Sequence, residues 1–297
     1  MPRFAYVNGS YVPHHAASVH IEDRGYQFAD GIYEVISLIN GRFADERGHL
    51  DRLERSLREL EIAMPVKRQA LRLIMRELVR KNRLSNAALY IQVTRGVAKR
   101  DFKFPNPSVP PALVMTCRPF KFDGNSNIAN GVKLISVPDI RWKRRDIKTV
   151  GLLAQALAKQ KAAGSGAFEA LMIDEDGFIT EGSSSNFWIL QGKTLITRPA
   201  EYDILKGVTR NAALHGAAQL GLEVQERAIS LQEALSADEA FCTSATALIV
   251  PVVDIDGQKI GKGAQSGKSG AVTLKLYEHY REYALSRYDD QYEWSDA

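Results

Sequence analysis

Cysteine is nearly missing from this chain: 297 residues carry only Cys117 and Cys242. Two cysteines cannot staple a small secreted scaffold, and neither has histidines at metal-ligand spacing, so no metal site is expected. Both sit in apolar, strand-like segments and read as small core residues. Long apolar runs are also absent. No stretch reaches the ~18 apolar residues of a membrane span, and the opening MPRFAYVNGSYVPHH lacks an uninterrupted apolar signal region. A soluble, cytoplasmic protein with no membrane partner is therefore expected. Charge of one sign is not concentrated either: the net charge is +4, with Lys and Arg spread along the chain, which argues against a nucleic-acid partner. The GAQSGKSG stretch contains Gly-Lys-Ser, but the glycine a phosphate loop needs five positions before Gly267 is Lys262, so it reads as a polar loop. No internal repeat is visible.

What is present is ordinary globular material, with 45% hydrophobic and 25% charged residues and length enough for two domains. YVNGSYV and VISLINGRF place Asn-Gly pairs between short apolar runs, a hairpin signal because both residues tolerate positive φ. Residues 47–62 carry Leu50, Leu53, Leu57 and Leu60 on one helical stripe, and residues 67–83 carry Leu71, Ile74 and Leu78 on another. AALYIQVTRG and ALVMTC then read as strands. The Gly-, Asn- and Ser-rich KFDGNSNIANG marks a boundary, giving a small α/β domain over 1–118, a linker over 119–130 and a larger domain over 131–297. The larger domain alternates strands with helices over 151–163, 208–220 and 271–286, with a short helix at SLQEAL. The tail YDDQYEWSDA is expected to fray.

Four stretches carry candidate chemistry. In RRDIKTVGLLAQALAKQKA, Lys148 precedes a helix-like run with Leu152, Leu153, Ala156, Leu157 and Ala158 at packing spacings. A lysine becomes a nucleophile toward carbonyls when burial and neighbouring positive charge, here Lys143, Arg144 and Arg145, favour its neutral amine. Taken alone, it reads as a solvated loop residue. In FITEGSSSNFWIL, Glu181 ends a β-like run before a loop whose serines and Asn186 suit side-chain bonding. A carboxylate there can hold a proton on a heteroaromatic nitrogen, or simply lie exposed beside a turn. ILKGVTRNAALHGAAQL starts an alanine-rich helix at Gly207 to Thr209, where free amides and the helix dipole suit phosphate, although Thr209 also reads as an ordinary cap. FCTSAT offers a second small-residue turn at Ser244 and Ala245.

A lysine, a strand-end carboxylate and two phosphate-suited turns are the parts needed to hold pyridoxal 5′-phosphate. The chain resembles the class IV, or fold-type IV, pyridoxal-phosphate aminotransferases, most closely their D-amino acid (D-alanine) branch. EDRGYQFADGIYEV, HLDRL, QVTRG, DIKTVGLLAQALAKQ, ITEGSSSNFWIL, ILKGVTR and CTSAT occur in the family's order. The resemblance implies an α+β, α/β chain in which a small N-terminal α/β domain precedes a larger pseudo-barrel domain. It implies that Lys148 is the Schiff-base lysine and proton carrier, that Glu181 partners the pyridine nitrogen, and that Leu205 packs on the cofactor ring. Arg52 of HLDRL, Val208, Thr209, Ser244 and Ala245 match phosphate-binding positions. Without the resemblance, Arg52 reads as a helix-surface arginine near Glu54 and Glu59.

Tyr33 and Arg100 match the D-branch substrate-carboxylate trap, with the arginine supplied by the neighbouring subunit of a homodimer. The family usually places a histidine two positions after that arginine. Here Phe102 stands instead, and a phenyl ring donates no hydrogen bond to a carboxylate, which points toward broader or less polar substrates. The expected reaction is transamination between a D-amino acid and a 2-oxo acid. A branched-chain L-amino acid or (R)-amine transaminase, an aminodeoxychorismate lyase, and a non-catalytic phosphate- or nucleotide-binding protein are the alternatives.

Overall fold

A computed structural model of the chain describes residues 3–122 and 126–285. The tail after residue 285, including the last position of the expected 271–286 helix and the YDDQYEWSDA segment, lies outside the described residues, as do 123–125 within the expected linker. The described residues form two compact units, one of those up to 122 with 147–151 and one of those from 126 to 146 with those from 152 on. Lys148 thus belongs by packing to the first unit, although the sequence around it runs through the second.

The first unit contains strands β1 (Phe4–Val7) and β2 (Ser10–Pro13), helix α1 (Arg24–Phe28), strands β3 (Gly31–Ile39) and β4 (Arg42–Phe43), helices α2 (Glu46–Glu59) and α3 (Arg68–Asn82), and strands β5 (Ala87–Thr94) and β6 (Ala112–Pro119). The strands form one sheet in the order β2-β1-β6-β5-β3-β4. Both Asn-Gly pairs close the hairpins expected of them: Asn8 and Gly9 have φ of 43° and 98°, Asn40 and Gly41 φ of 49° and 80°. The leucine stripes of α2 and α3 meet one face of the sheet. Leu50, Leu53, Leu57, Leu71, Met75 and Leu78 are buried there with Ile32, Ile36, Leu89, Ile91 and Cys117. Because strand side chains alternate, Tyr33 of β3 and Tyr90 and Gln92 of β5 point to the other face, away from the helices. The family motif DIKT reaches this unit by backbone bonds: Tyr33 N donates to Lys148 O at 3.0 Å and Val150 N to Gly31 O at 3.1 Å.

The second unit contains α4 (Ser126–Asn130), β7 (Val132–Pro138), α5 (Leu153–Gly164), β8 (Glu169–Ile173), β9 (Phe178–Gly182), β10 (Asn186–Gln191), β11 (Thr194–Thr197), α6 (Val208–Gln219), β12 (Glu223–Glu226), β13 (Ile229–Ser230), α7 (Leu231–Leu235), β14 (Glu239–Ser244), β15 (Leu248–Ile255), β16 (Gln258–Lys259) and α8 (Ala271–Leu285). Its curled ten-stranded sheet runs β12-β11-β10-β14-β15-β7-β8-β9-β13, with β16 on β15. The core gathers Leu134, Leu171, Phe187, Ile189, Val250 and Cys242. Part of the expected linker is helical: α4 has its Ile128 and Ala129 carbonyls bonded by the Ser269 hydroxyl at 3.0 Å.

One packing expectation needs correction. Leu153 and Leu157 of α5 are 76% and 56% exposed, and the buried residues of that helix are Ala158 and Ala162, packed with Ala170 and Met172 of β8. Small side chains let the helix approach the strand closely. The larger leucines of the apparent stripe therefore lie off the packed face. Among the described residues, no helix is long and apolar enough to cross a membrane and no His/Cys/Asp/Glu group is arranged to hold a metal ion. Cys117 and Cys242 are both buried, and burial pushes their thiols up to about 11 and about 12.

Candidate active site

In the first unit, Lys148 is partly buried and its Nζ donates to the Tyr33 hydroxyl at 3.3 Å, lying 4.4 Å from the centre of that ring. Tyr33 stacks on Tyr90 at 5.6 Å, and the Tyr90 hydroxyl donates to Gln92 Oε1 at 2.7 Å. Burial, and then Tyr33, push the Tyr90 phenol up to about 12. The amine is thus held against the Tyr33 ring and hydroxyl, and that ring is in turn backed by Tyr90. A cavity of about 330 Å³ opens on this face between Tyr90, Gln92, Thr94, Asp23, Val114 and Val150.

On the opposite face of β3, Glu34 is fully buried and takes both arms of Arg52, Nε to Oε1 at 2.7 Å and Nη2 to Oε2 at 2.8 Å, while His49 Nδ1 meets Oε2 at 2.7 Å. Burial alone pushes the Glu34 carboxyl up. The charge and bonds of Arg52, aided by His49, outweigh it and hold the group at about 2. Arg52 is therefore no solvated helix-surface arginine. Its forked side chain is oriented by a buried carboxylate.

Arg100 and Phe102 lie on an exposed loop of the same unit. The Arg100 guanidinium is 5.1 Å from the Phe28 ring and 5.9 Å from Phe102, and the two rings are 5.6 Å apart. Phe102 is 81% exposed.

In the second unit, Glu181 is buried near the end of β9, and Asn186 joins the surrounding pieces. Asn186 Nδ2 donates to Glu181 Oε2 at 3.0 Å and to Leu205 O at 2.9 Å, while Leu205 N approaches both Glu181 oxygens at 3.4 and 3.3 Å. A Cβ on Gly207 would collide with Asn186 Oδ1, so any larger residue at this turn into α6 would displace the Asn186 side chain from its bonds. Asn186 also pairs in register with Thr243, next to Ser244. Glu181 and Leu205 are thereby tied to one side chain, which also packs against the entry of α6, while the backbone register of β10 and β14 sets the Ser244 turn beside them. Burial pushes the Glu181 carboxyl up despite the opposing charge of Arg141, which donates to its Oε1.

The loop after Glu181 is pinned by a second buried acid, Glu169, which accepts from the hydroxyls of Ser183, Ser184 and Ser185. At the start of α6 no side chain caps the helix, and the first amides of any α-helix lack partners inside it. The Thr209 hydroxyl there is buried with no hydrogen-bond partner. Free amides, a positive dipole end and an unpartnered buried hydroxyl fit a phosphate. Ser244 Oγ accepts from Ala247 N at 3.2 Å, closing the adjacent turn. A strand-end carboxylate beside this phosphate-suited turn fits a phosphorylated, protonated heterocycle such as pyridoxal 5′-phosphate.

The sequence did not single out Asp139, Arg141, Glu34, His49, Glu169 or Tyr90. Only the tight Asp-x-Arg spacing of Asp139 and Arg141 hints at a bonded pair, since their partners are far along the chain. Two of the three positive charges read as crowding Lys148 are in fact committed to acids: Arg144 Nε bonds Asp146 Oδ1 at 3.0 Å and Arg145 Nε lies 3.4 Å from Asp139.

The family model described as amino-transferase class IV matches residues 31–255. The D-alanine aminotransferase of Bacillus licheniformis is 40% identical over 257 residues, 86% of this chain and 90% of the relative. That of Staphylococcus haemolyticus is 35% identical over 282 residues, 95% and 98% of the two chains. Among solved structures, a branched-chain amino acid aminotransferase of T.th. origin, solved with pyridoxamine 5′-phosphate, is similar with a TM-score of 0.87 at 26% identity, covering 96% of this chain and 94% of that one. The Escherichia coli branched-chain amino acid aminotransferase, with a TM-score of 0.87 over 99% and 98% of the chains, shares the fold at 23% identity.

Proposed function

Since the chain belongs to the class IV aminotransferases, we propose that it is a pyridoxal 5′-phosphate enzyme transferring the amino group of a D-amino acid, D-alanine first among them, to a 2-oxo acid. The observation that carries the reading is the Lys148 amine, fixed at 3.3 Å from the Tyr33 hydroxyl. An amine so fixed suits attack on the cofactor aldehyde and proton transfer at the substrate α-carbon. The relatives at 35–40% identity named as D-alanine aminotransferases favour D-amino acids over branched-chain L-amino acids.

The bound cofactor supplies an electron sink for the carbanion left by α-proton loss. Around it the chain's residues have separate tasks. Glu181 accepts the hydrogen bond of the pyridinium N–H, and Leu205 packs on the ring. The amides of Val208 and Thr209, the Thr209 hydroxyl, the Ser244–Ala245 turn and Arg52 hold the phosphate. Tyr33 and the Arg100 of a second subunit hold the substrate carboxylate, with Phe102 giving the entrance an apolar wall in place of a donor.

A cytoplasmic homodimer is part of the proposal. The dimer is supported by the exposed Val19, Ile21, Tyr26, Phe102 and Phe104 on the first unit, apolar groups that a monomer leaves in water. The test is a panel of D-alanine, L-leucine and (R)-1-phenylethylamine, each with 2-oxoglutarate. Turnover of D-alanine is expected to dominate, and activity confined to either of the other donors refutes the substrate assignment.

A further inference from the structure

Arg141 and Asp139 have no task in the roles above, yet they form a buried row of charges ending at Glu181. Asp139 accepts from Arg141 Nε at 2.9 Å and from Nη2 at 2.7 Å, and Arg141 Nη1 donates to Glu181 Oε1. The Thr180 hydroxyl donates to Asp139 at 2.7 Å. The side chains of Asp139, Arg141 and Glu181 are 0%, 5% and 6% exposed. One edge of the planar guanidinium is thus locked from behind, which aims the remaining N–H at the carboxylate.

The charge order is minus, plus, minus, and the outer minus at Glu181 faces the turn into α6. A carboxylate this deeply buried tends toward the neutral acid unless a counter-charge touches it. Burial does push Glu181 up, and the charge of Arg141 is the largest influence opposing it. A neutral Glu181 would hold no second proton on a ring nitrogen. Orientation matters as well: Arg141 engages Oε1 and Asn186 engages Oε2, so the plane of the carboxylate is fixed from two sides.

We infer that Arg141, braced on Asp139, is a positioning residue that keeps Glu181 ionised and aimed at the heterocyclic nitrogen of the cofactor. The inference rests on the assignment of Glu181 as partner of that nitrogen. Arg141 acts through Glu181 and does not itself touch the reacting atoms.

The test uses the holoprotein loaded with pyridoxal phosphate labelled with ¹⁵N in the ring. The ¹⁵N shift and the rate of the first half-reaction with D-alanine are compared for wild type, Arg141→Met, Arg141→Lys, Glu181→Gln and the Arg141→Met/Glu181→Gln double variant. In wild type the ring nitrogen is expected to be protonated at neutral pH. Arg141→Met is expected to move its resonance toward the unprotonated position and slow the half-reaction at least about tenfold, the equivalent of one pKa unit. Arg141→Lys, which keeps the charge without the fork, recovers part of both. Added to Glu181→Gln, Arg141→Met costs less than about twofold, because two groups acting as one unit are not additive.

A wild-type ¹⁵N position in Arg141→Met, or losses that multiply in the double variant, overturns the inference and leaves the proposed function standing. A wild-type protein that takes up no cofactor overturns both. Should Arg141→Met not fold, Asp139→Asn is read instead, with a ¹⁵N displacement in the same direction expected and an unmoved resonance refuting the role.

Discussion

Glu34 and Arg52 make the sharpest stability statement at the scale of single residues. Removing one partner of a buried ion pair strands the other, so Arg52→Ala should cost about 3–5 kcal/mol in urea unfolding at pH 7. The sign with pH is set by Glu34, held at about 2 against an ordinary 4.5. Its folded value is lowered, so the stabilisation is complete above about pH 4.5 and fades as the pH falls from there toward 2. The gap between wild type and Arg52→Ala should therefore narrow in unfolding curves taken at pH 3. A gap of constant size would show that Glu34 is not the group carrying it. None of this was legible in HLDRL alone. The motif marks Arg52 as special, but its carboxylate partner is 18 residues away on a strand.

Among the elements, α6 carries at its start the group proposed to hold phosphate, and that group costs stability when nothing is bound. The Thr209 hydroxyl is buried without a partner, and an unsatisfied buried hydroxyl costs about 1–3 kcal/mol. Thr209→Val should leave the cofactor-free protein as stable as wild type or up to about 1 kcal/mol more so, measured by thermal unfolding. The same change should weaken pyridoxal phosphate binding about tenfold, measured by fluorescence titration, since a bond to a charged group is lost. Destabilisation of the cofactor-free form would mean that the hydroxyl has a structural partner there.

Helix α6 and both Asn-Gly hairpins were legible because their signals are local: a glycine entry, an alanine-rich run, two residues that accept positive φ. Helix α5 was legible in extent and not in facing. The periodicity of its leucines suggested the packed side, whereas close approach to β8 selects Ala158 and Ala162. The partners of Glu181 were legible only in part. Asn186 sits five residues on in the same motif, but Arg141 is separated from it by 40 residues, and only the folded strands bring them together.

For the whole molecule, the proposed dimer with shared sites predicts complementation. Lys148→Ala and Arg100→Ala homodimers should each be impaired with D-alanine. If Arg100 serves the neighbouring subunit, a mixed dimer has one site carrying both lesions and one carrying neither. Unfolding and refolding the two variants together should then restore activity that neither shows alone. A mixture no more active than the sum of its parts would confine each site to one subunit. The family's ordered motifs made the chemistry legible at this scale, while the substrate range was not, because Phe102 stands where the family usually has a histidine and its ring is exposed. Lys148 carries the proposed chemistry, and borohydride reduction of the pyridoxal phosphate-loaded protein followed by peptide mapping shows whether it does. A single phosphopyridoxyl group on Lys148, absent when D-alanine is added before reduction, is the predicted result; a label on another lysine, or none, would contradict it.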